Sequence, residues 1–302
     1  MRLDAYVGVE SLSQVLHQYY DLIKPRIALL IVISTSVGYS YGVGQHFNLV
    51  TFFHALLGTA LLAAGSATLN QWYERDLDAL MTRTKMRPIP AGTITPARAL
   101  TFGIAVSVIG LLELLMFVNV LAAGLGLLTS IGYLFAYTPL KRKGPICTTI
   151  GAFPGAMPPL IGYAAASGRL TVQAWVLFAI LFLWQFPHFH AIAWLYREEY
   201  ERAGIKMLAV VRPFGNALKL EIMTALILLI PATLAPTFLH MAGKVYFAAA
   251  IVLNLAFLYF GVQMSREHDR PRASKLLLAS VIYVPLLFSF LVIDNPRFTS
   301  LF

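Results

Sequence analysis

Residues 50–70 read "VTFFHALLGTALLAAGSATLN", which is 21 consecutive positions without an Asp, Glu, Lys or Arg. An α-helix rises roughly 1.5 Å per residue, so this stretch would be about 31 Å long, close to the thickness of the hydrocarbon core of a bilayer. The stretch therefore predicts a helix that crosses a membrane.

Apolar runs of this length recur along the chain. Of its 302 residues, 58% are hydrophobic and only 12% are charged, a composition typical of polytopic membrane proteins. We expect an all-α fold with about nine transmembrane helices and no separate soluble domain, so that residues 1–302 form one membrane domain. The nine predicted spans are residues 27–45, 50–70, 98–117, 120–138, 146–166, 172–194, 219–239, 245–264 and 275–293.

The basic residues predict the orientation. With the N-terminus inside, twenty of the 23 Lys and Arg residues fall in inside segments, and only Arg169, Lys244 and Arg297 fall outside. Short cytoplasmic loops retain Lys and Arg, so we expect a cytoplasmic N-terminal segment, residues 1–24, and an outside C-terminus. This bias explains the net charge of +9 without a nucleic-acid partner. The single cysteine, Cys147, excludes intrachain disulfides and cysteine-built metal sites.

Polar residues begin abruptly where the span at 50–70 ends. At about 100° per residue, Asn70, Glu74 and Asp78 share one helix face, whereas Asp76 points elsewhere. Two carboxylates about 6 Å apart repel by roughly 2–3 kcal/mol at an effective dielectric of ~20, and a divalent cation between them would relieve that repulsion. Such hard oxygen ligands suit Mg²⁺, which bridges carboxylates to substrate phosphates.

Basic residues follow the acidic ones. Arg83, Lys85 and Arg87 come within nine residues of Asp78, and prolines and a glycine at 88–92 then turn the chain. Arginine is well matched to phosphate oxygens, so the stretch is typical of a metal-diphosphate site. The alternative is that these charges only solvate a helix end and follow the positive-inside bias.

A second polar stretch follows the span at 172–194. If the helix continues past Pro187, His188 shares a face with Tyr196, Glu199 and Tyr200, whereas His190 lies on another face. An ionisable residue within a membrane is a functional candidate, because burying one without a partner is costly. The alternative for His188 is a hydrogen-bonded core histidine.

These residues resemble a known family. The signature of the heme O synthases (protoheme IX farnesyltransferases), a branch of the UbiA-type intramembrane prenyltransferase superfamily, is matched in order and spacing by Asn70, Glu74, Asp78, Met81, Arg83, Thr84, Arg87 and Gly92. The resemblance extends over nearly the whole chain. It includes Lys24-Pro25-Arg26, YTPLKR at 137–142, GAFPGAMPPLIGY at 151–163, WQFPHF at 184–189 and AGIKML at 203–208.

The resemblance implies a nine-helix bundle around a central cavity in the bacterial cytoplasmic (inner) membrane, with the active-site loops 71–97 and 195–218 on the cytoplasmic side. It implies Mg-dependent transfer of farnesyl from farnesyl diphosphate to the 2-vinyl group of heme B, with water addition, giving heme O. The implied metal ligands are Asn70, Glu74 and Asp78, and Tyr137 and Glu199 are further catalytic candidates. Candidates for binding the diphosphate are Arg83, Arg87, Lys141 and Arg142, and those for binding heme are His188, Tyr196, Tyr200 and Arg26.

One departure from the superfamily pattern concerns the later loop. Many members carry a second Asp-rich DxxxD motif there, and this chain has Tyr196 and Tyr200 at those positions, with Glu199 where Asp is common in the heme branch. Glu199 keeps the negative charge at a longer reach, which favours one carboxylate contact near the first site and leaves a second metal site open.

Three alternatives remain open at this stage. One is another UbiA-type aromatic prenyltransferase of a quinone or chlorophyll pathway, another is a secondary transporter, and a third is a non-catalytic heme-binding assembly protein. The acids cluster at the predicted cytoplasmic helix ends rather than at broken helices in the midplane, which disfavours a transporter. Membrane lipid is the expected surrounding, and the resemblance implies a heme A synthase or an oxidase assembly protein as a candidate partner.

Overall fold

The structure is a computed structural model that describes residues 11–44 and 47–296. Within those ranges it contains fourteen α-helices, one π-helix and no strand, which confirms the all-α prediction. The α-helices are α1 (Leu12–Leu22), α2 (Pro25–Gly42), α3 (Leu49–Asp78), α4 (Pro96–Phe117), α5 (Val120–Ile131), α6 (Thr138–Leu140), α7 (Cys147–Ala156), α8 (Pro158–Ser167), α9 (Val172–Leu195), α10 (Arg197–Arg202), α11 (Leu208–Val211), α12 (Asn216–Phe238), α13 (Lys244–Arg266) and α14 (Arg270–Ile293). The π-helix is Gly132–Tyr137.

Seven helical units in the described ranges are long and apolar enough to cross a membrane. They are α3, α4, the continuous unit Val120–Leu140, α9, α12, α13 and α14. Helices α1 and α2 meet at a 54° bend and form an eighth span if the pair is counted as one. The chain is thus a multi-pass membrane protein.

The predicted count of nine spans and the inside N-terminus stay predictions. The predicted span at 146–166 falls on α7 and α8, which meet at Met157 and contain ten residues each. Pro158 and Pro159 follow this junction, and proline cannot donate a backbone hydrogen bond within a helix. Residues 1–10 of the predicted N-terminal segment, the end of the first predicted span at 45, and Arg297 lie outside the described residues.

Glycines allow α2 and α8 to approach until their backbones touch. A Cβ at Gly162 would lie 1.9 Å from the carbonyl oxygen of Thr35, and a Cβ at Gly38 would lie 2.1 Å from that of Pro159. Helices α3 and α4 approach similarly through Gly65 and Gly103. Small residues at such contacts are the usual basis of helix association in membranes, where the lipid tails are as apolar as the side chains.

The substitution Gly162→Ala is expected to lower the melting temperature of the detergent-solubilised protein. The added methyl group meets backbone rather than a flexible side chain, so α2 and α8 must separate, at a cost of about 1–3 kcal/mol for an overpacked contact. Thermal unfolding followed by circular dichroism measures this. Gly124→Ala is the matched control, because a Cβ at that helical glycine meets nothing within 4 Å. Equal melting temperatures for the two variants would contradict the packing argument.

The π-helix interrupts the unit Val120–Leu140 near one end. Just after it, the Thr138 backbone N–H bonds to the carbonyl of Tyr133, five residues earlier. Pro139 follows and lacks the donor that an α-helical ladder requires. Single π-turns are frequent at functional sites, and this one presents Tyr133 and Tyr137 side by side, with ring centroids 5.6 Å apart.

The polar connections gather at one end of the bundle, called the site end below. Helix α3 extends through Asp78, so the connection to α4 is residues 79–95 rather than the predicted 71–97. The predicted loop 195–218 contains the short helices α10 and α11. The Lys206 N–H donates to the Lys141 carbonyl at 2.7 Å and joins the two loops that contain these residues.

Candidate active site

The end of α3 carries the central polar stripe. Asn70, Glu74 and Asp78 are 2%, 6% and 1% exposed, whereas the side chain of Asp76 is 86% exposed. The three buried residues lie on the inner face of one helix because they are spaced by four. Helical phase thus separates one inward stripe from a solvent-facing acid.

Each member of the stripe contacts a cationic side chain from another segment. Arg87 donates to Oδ2 of Asp78 at 2.7 Å, and Lys141 donates to Oε2 of Glu74 at 3.0 Å. The ammonium of Lys141 also lies 2.9 Å from Oε1 of Glu74, although that oxygen accepts no hydrogen bond of good geometry. These buried pairs hold negative and positive charges together away from bulk water, where unpaired charges would be costly.

Lys24 is the third basic side chain that contacts the stripe. Its Nζ donates to Oδ1 of Asn70 at 3.3 Å. Its backbone φ of 50° lies in the left-handed region, which costs about 1–3 kcal/mol for a residue other than glycine. Gln71 holds the adjacent segment by donating to the Leu22 carbonyl at 2.7 Å, and Leu22 is fully buried. Tertiary contacts therefore fix the bend that directs Lys24 toward Asn70.

These groups surround a pocket of about 110 Å³. The pocket is lined by Lys24, Asn70, Glu74, Asp78, Met81, Arg83, Arg87, Tyr133, Tyr137, Lys141, Tyr200, Ile205 and Met207. Four lining side chains are basic and two are carboxylates, so the pocket favours an anion. Its volume is below the roughly 300–1,000 Å³ of pockets that hold drug-sized ligands. The pocket therefore matches a small polar headgroup rather than a porphyrin.

Tyr137 and Lys141 form one wall of the pocket. The Lys141 ammonium lies 4.7 Å from the centroid of the Tyr137 ring. Burial alone would lower the pKa of Lys141, but the nearby Tyr137 and Glu74 side chains outweigh burial and hold this pKa well above its usual value. Gly151 on α7 makes room for the wall, since a Cβ there would lie 2.5 Å from the Tyr137 ring.

Residues that follow α9 contact Arg83, which lies in the connection between α3 and α4. The Arg83 guanidinium lies 4.9 Å from the centroid of the Tyr196 ring and donates to the Tyr200 hydroxyl at 3.4 Å. Oε2 of Glu199 accepts the backbone N–H of Arg83 at 3.3 Å. These three residues therefore lie around the cation, and Tyr200 also lines the pocket.

Five residues named from the sequence do not line the pocket: Arg26, Arg142, His188, Tyr196 and Glu199. Arg142 and Arg26 are exposed, because each lies one or two residues beyond an inward-facing lysine and therefore on another side of the chain. His188 contacts Ser280 on α14 instead. The expectation that one continuous helix face joins His188 to Glu199 is wrong, because α9 ends at Leu195 and α10 begins at Arg197.

The sequence reading missed Lys24 and Tyr133 as pocket residues. Lys24 stands directly before the proline that starts α2, and Tyr133 lies four positions before Tyr137. The Lys24-Pro25-Arg26 motif and the spacing of the two tyrosines were the available signals. Helical phase could not detect them, since the left-handed Lys24 and the π-helix both depart from α-helical geometry.

The donor set fits Mg²⁺. Asn70, Glu74 and Asp78 offer an amide oxygen and two carboxylates, and Oε1 of Glu74 is buried without a hydrogen bond. In the described ranges, no three His, Cys, Asp or Glu side chains converge as a complete metal site. Mg²⁺ does not need such a cage, because it commonly binds one or two carboxylates together with substrate phosphates.

Comparison with known proteins shows the family of this chain. Residues 31–289 match the model of the UbiA prenyltransferase family. A protoheme IX farnesyltransferase of Solibacter usitatus (strain Ellin6076) is 49% identical in a 290-residue alignment that covers 93% of this chain and 99% of the relative.

Solved structures share the fold at low sequence identity. A structure of digeranylgeranylglyceryl phosphate synthase has a TM-score of 0.78 and 17% identity, and the alignment covers 92% of this chain and 98% of that one. A UbiA homologue from Archaeoglobus fulgidus bound to GPP and Mg²⁺ has a TM-score of 0.61 and 17% identity, with 91% and 99% covered. The expected UbiA-type bundle is thereby confirmed. The chain belongs to the UbiA prenyltransferase family and, within it, to the protoheme IX farnesyltransferases.

Proposed function

We propose that this chain transfers the farnesyl group of farnesyl diphosphate to the 2-vinyl group of heme B and adds water, giving heme O. The observation that carries the proposal is the pocket at the site end, where four basic side chains and two carboxylates surround a small volume. Such a pocket suits a diphosphate with its metal, and the relative from Solibacter usitatus is named for the same reaction.

The diphosphate would bind to Lys24, Arg83, Arg87 and Lys141. Arginine guanidinium groups donate to phosphate oxygens in a fork-like geometry, and lysine acts as a point charge. Arg87 and Lys141 contact the stripe carboxylates directly. When the diphosphate binds, Arg87 and Lys141 would move from the carboxylates toward phosphate oxygens, and the carboxylates would bind the metal.

Asn70, Glu74 and Asp78 would hold Mg²⁺ between the protein and the diphosphate. Bound Mg²⁺ would supply Lewis-acid stabilisation of the negative charge that grows on the leaving diphosphate. The bound metal in the related archaeal structure supports this assignment.

The reaction needs no covalent enzyme intermediate. The allylic C1–O bond breaks, and its electron pair leaves with the diphosphate. The terminal vinyl carbon of heme B then bonds to farnesyl C1, water bonds to the adjacent vinyl carbon, and one proton is released. The cations of the pocket stabilise the leaving charge, and the faces of the Tyr133 and Tyr137 rings, which line the pocket, would shield and stabilise the allylic cation.

Heme B would lie beyond the polar pocket, on the side of α9. The pocket of about 110 Å³ is too small for a porphyrin. Of the heme-binding candidates, Tyr196 and Tyr200 lie beside Arg83 at the pocket edge, and His188 lies deeper along α9. Arg26 is exposed at the start of α2, where it would reach a heme propionate from the membrane surface.

The site end would face the cytoplasm of a bacterial cell, with the chain in the cytoplasmic (inner) membrane. The clustering of Lys and Arg in the segments at this end supports that orientation. The product would pass to a heme A synthase or an oxidase assembly protein, because heme O is made for use in terminal oxidases.

Purified protein with heme B, farnesyl diphosphate and Mg²⁺ is expected to form heme O, detected by mass spectrometry of extracted heme. EDTA should abolish the product, and excess Mg²⁺ should restore it, because the leaving diphosphate then regains its metal. Undiminished product in EDTA would exclude the metal role. If the protein does not prenylate heme B but does prenylate a quinone or chlorophyll precursor, that precursor and not heme B is the acceptor.

A further inference from the structure

One serine on α14 organises the surroundings of His188. Nδ1 of His188 lies 2.8 Å from Oγ of Ser280, and that Oγ lies 2.6 Å from the carbonyl oxygen of Leu277. The Ser280 carbonyl in turn accepts the indole N–H of Trp184 at 2.8 Å. The Trp184 ring stacks on the imidazole, with centroids 4.8 Å apart and an interplanar angle of 23°. The imidazole is therefore held at one nitrogen and on one face.

The hydrogen bonds of Ser280 determine where the imidazole proton lies. A hydroxyl has a single hydrogen, and the Leu277 carbonyl can only accept, so the Ser280 hydrogen points to that carbonyl. Oγ then offers a lone pair to His188, and Nδ1 of His188 must be the N–H donor. A neutral imidazole with its proton on Nδ1 has its lone pair on Nε2.

Nε2 is available to a ligand. Among the described residues it has no hydrogen-bond partner, and it is not sealed inside the protein, because the His188 side chain is only partly buried. His190 differs: it is fully buried and its Nε2 lies 2.8 Å from Oε2 of Glu221. His188 therefore has the accessible nitrogen lone pair, and His190 does not.

The position of His188 along α9 suits a porphyrin next to the pocket. His188 precedes Tyr196 by eight residues, which is about 12 Å along a helix, and the Tyr196 ring covers Arg83 at the pocket edge. Iron binds neutral imidazole nitrogen well, and a hydrogen bond from the other ring nitrogen raises the basicity of such a ligand.

We propose that Ser280 is a positioning residue that holds His188 with Nε2 directed to the iron of heme B as an axial ligand. This inference rests on the proposed function, since it takes heme B as the acceptor substrate. Ser280 does not touch heme; it acts by accepting the Nδ1 hydrogen and by fixing the ring together with Trp184.

The test uses the full-length protein in nanodiscs with ferrous heme B and no farnesyl diphosphate. Resonance Raman spectroscopy reports the iron–histidine stretching band, and a heme titration reports affinity. We expect His188→Ala to remove the band. We expect Ser280→Ala to lower the frequency of the band and to weaken heme binding about 10- to 100-fold, as for other outer-shell partners of metal-bound histidines. Ser280→Thr keeps a hydroxyl and should restore the band.

Ser34→Ala is the matched control. Ser34 is 1% exposed and its hydroxyl donates to the Leu30 carbonyl at 2.8 Å, so this variant loses a buried serine hydroxyl that is not bonded to His188. It should keep the wild-type band and affinity. An unchanged band in His188→Ala would overturn the axial ligand, and a wild-type band and affinity in Ser280→Ala would overturn the positioning role.

The same samples separate this inference from the proposed function. After farnesyl diphosphate and Mg²⁺ are added, heme O formation by the wild type tests the function alone. If the wild type forms heme O but its spectrum lacks an iron–histidine band, His188 is not the axial ligand and the proposed function still holds. A wild type that shows the band and its loss in His188→Ala, but forms no heme O, would support the ligand assignment and refute the function.

Discussion

Replacing Asp78 with asparagine, or Glu74 with glutamine, is expected to lower the rate of heme O formation by about 100- to 1,000-fold, the usual cost of removing one stabiliser of transition-state charge. Both side chains are buried in the stripe on α3 and would hold the metal that carries the diphosphate. Each substitution keeps the side-chain shape and removes the negative charge. Product formation is measured at saturating heme B by mass spectrometry.

Asp76→Asn is the control for this prediction. Asp76 lies on the same helix between the two stripe acids, but its side chain is 86% exposed. The activity of the Asp76→Asn variant should therefore match that of the wild type. Asp78→Asn leaves Arg87 without its carboxylate, and a melting curve for each variant separates lost catalysis from lost folding. Equal losses of activity at Asp76 and Asp78 would refute the assignment of roles by helix face.

The second large effect is expected at Lys141. Lys141→Gln should slow the reaction by about 100-fold, because it removes a buried cation that would neutralise the leaving diphosphate. Lys141 contacts Glu74 and lies over the Tyr137 ring, so it acts where the metal, the diphosphate and the aromatic wall meet. Steady-state kinetics with varied farnesyl diphosphate distinguishes weaker binding from slower ionisation.

Arg142→Gln provides a neighbouring control of equal charge change. Arg142 follows Lys141 directly in the sequence, is exposed and does not line the pocket. We therefore expect near wild-type activity from this variant. A large loss in Arg142→Gln together with a small loss in Lys141→Gln would show that the arginine, and not the lysine, reaches the diphosphate during turnover.

Much of the fold could be predicted from the sequence because membrane spans depend on a local property. A helix that crosses lipid must be apolar over about twenty residues, and this requirement is visible in any single window. The run at 50–70, for example, lies within α3. Length and hydropathy do not reveal the division of 146–166 into α7 and α8, and its signal in the sequence is the pair Pro158 and Pro159.

The candidate site also has features that one helix predicts and contacts that depend on the packing of several helices. The common face of Asn70, Glu74 and Asp78 follows from one helix, so spacing alone predicted it. The pairing of Glu74 with Lys141, by contrast, joins residues 67 positions apart. Lys24 reaches Asn70 from another helix through a left-handed backbone conformation. Such contacts depend on how separate helices pack and cannot be read from periodicity.

By itself, the sequence determined that this protein is an all-helical membrane protein with an acidic stripe and a basic turn at the end of one span, and its motifs determined the family. Only the tertiary structure decided which cations reach the stripe, why Lys141 lines the pocket and Arg142 does not, and that Ser280 on α14 holds His188. The physical reason is that hydropathy and helical phase are properties of neighbours along the chain. A pocket and a fixed imidazole are made by side chains from distant segments, whose positions depend on close packing between helices.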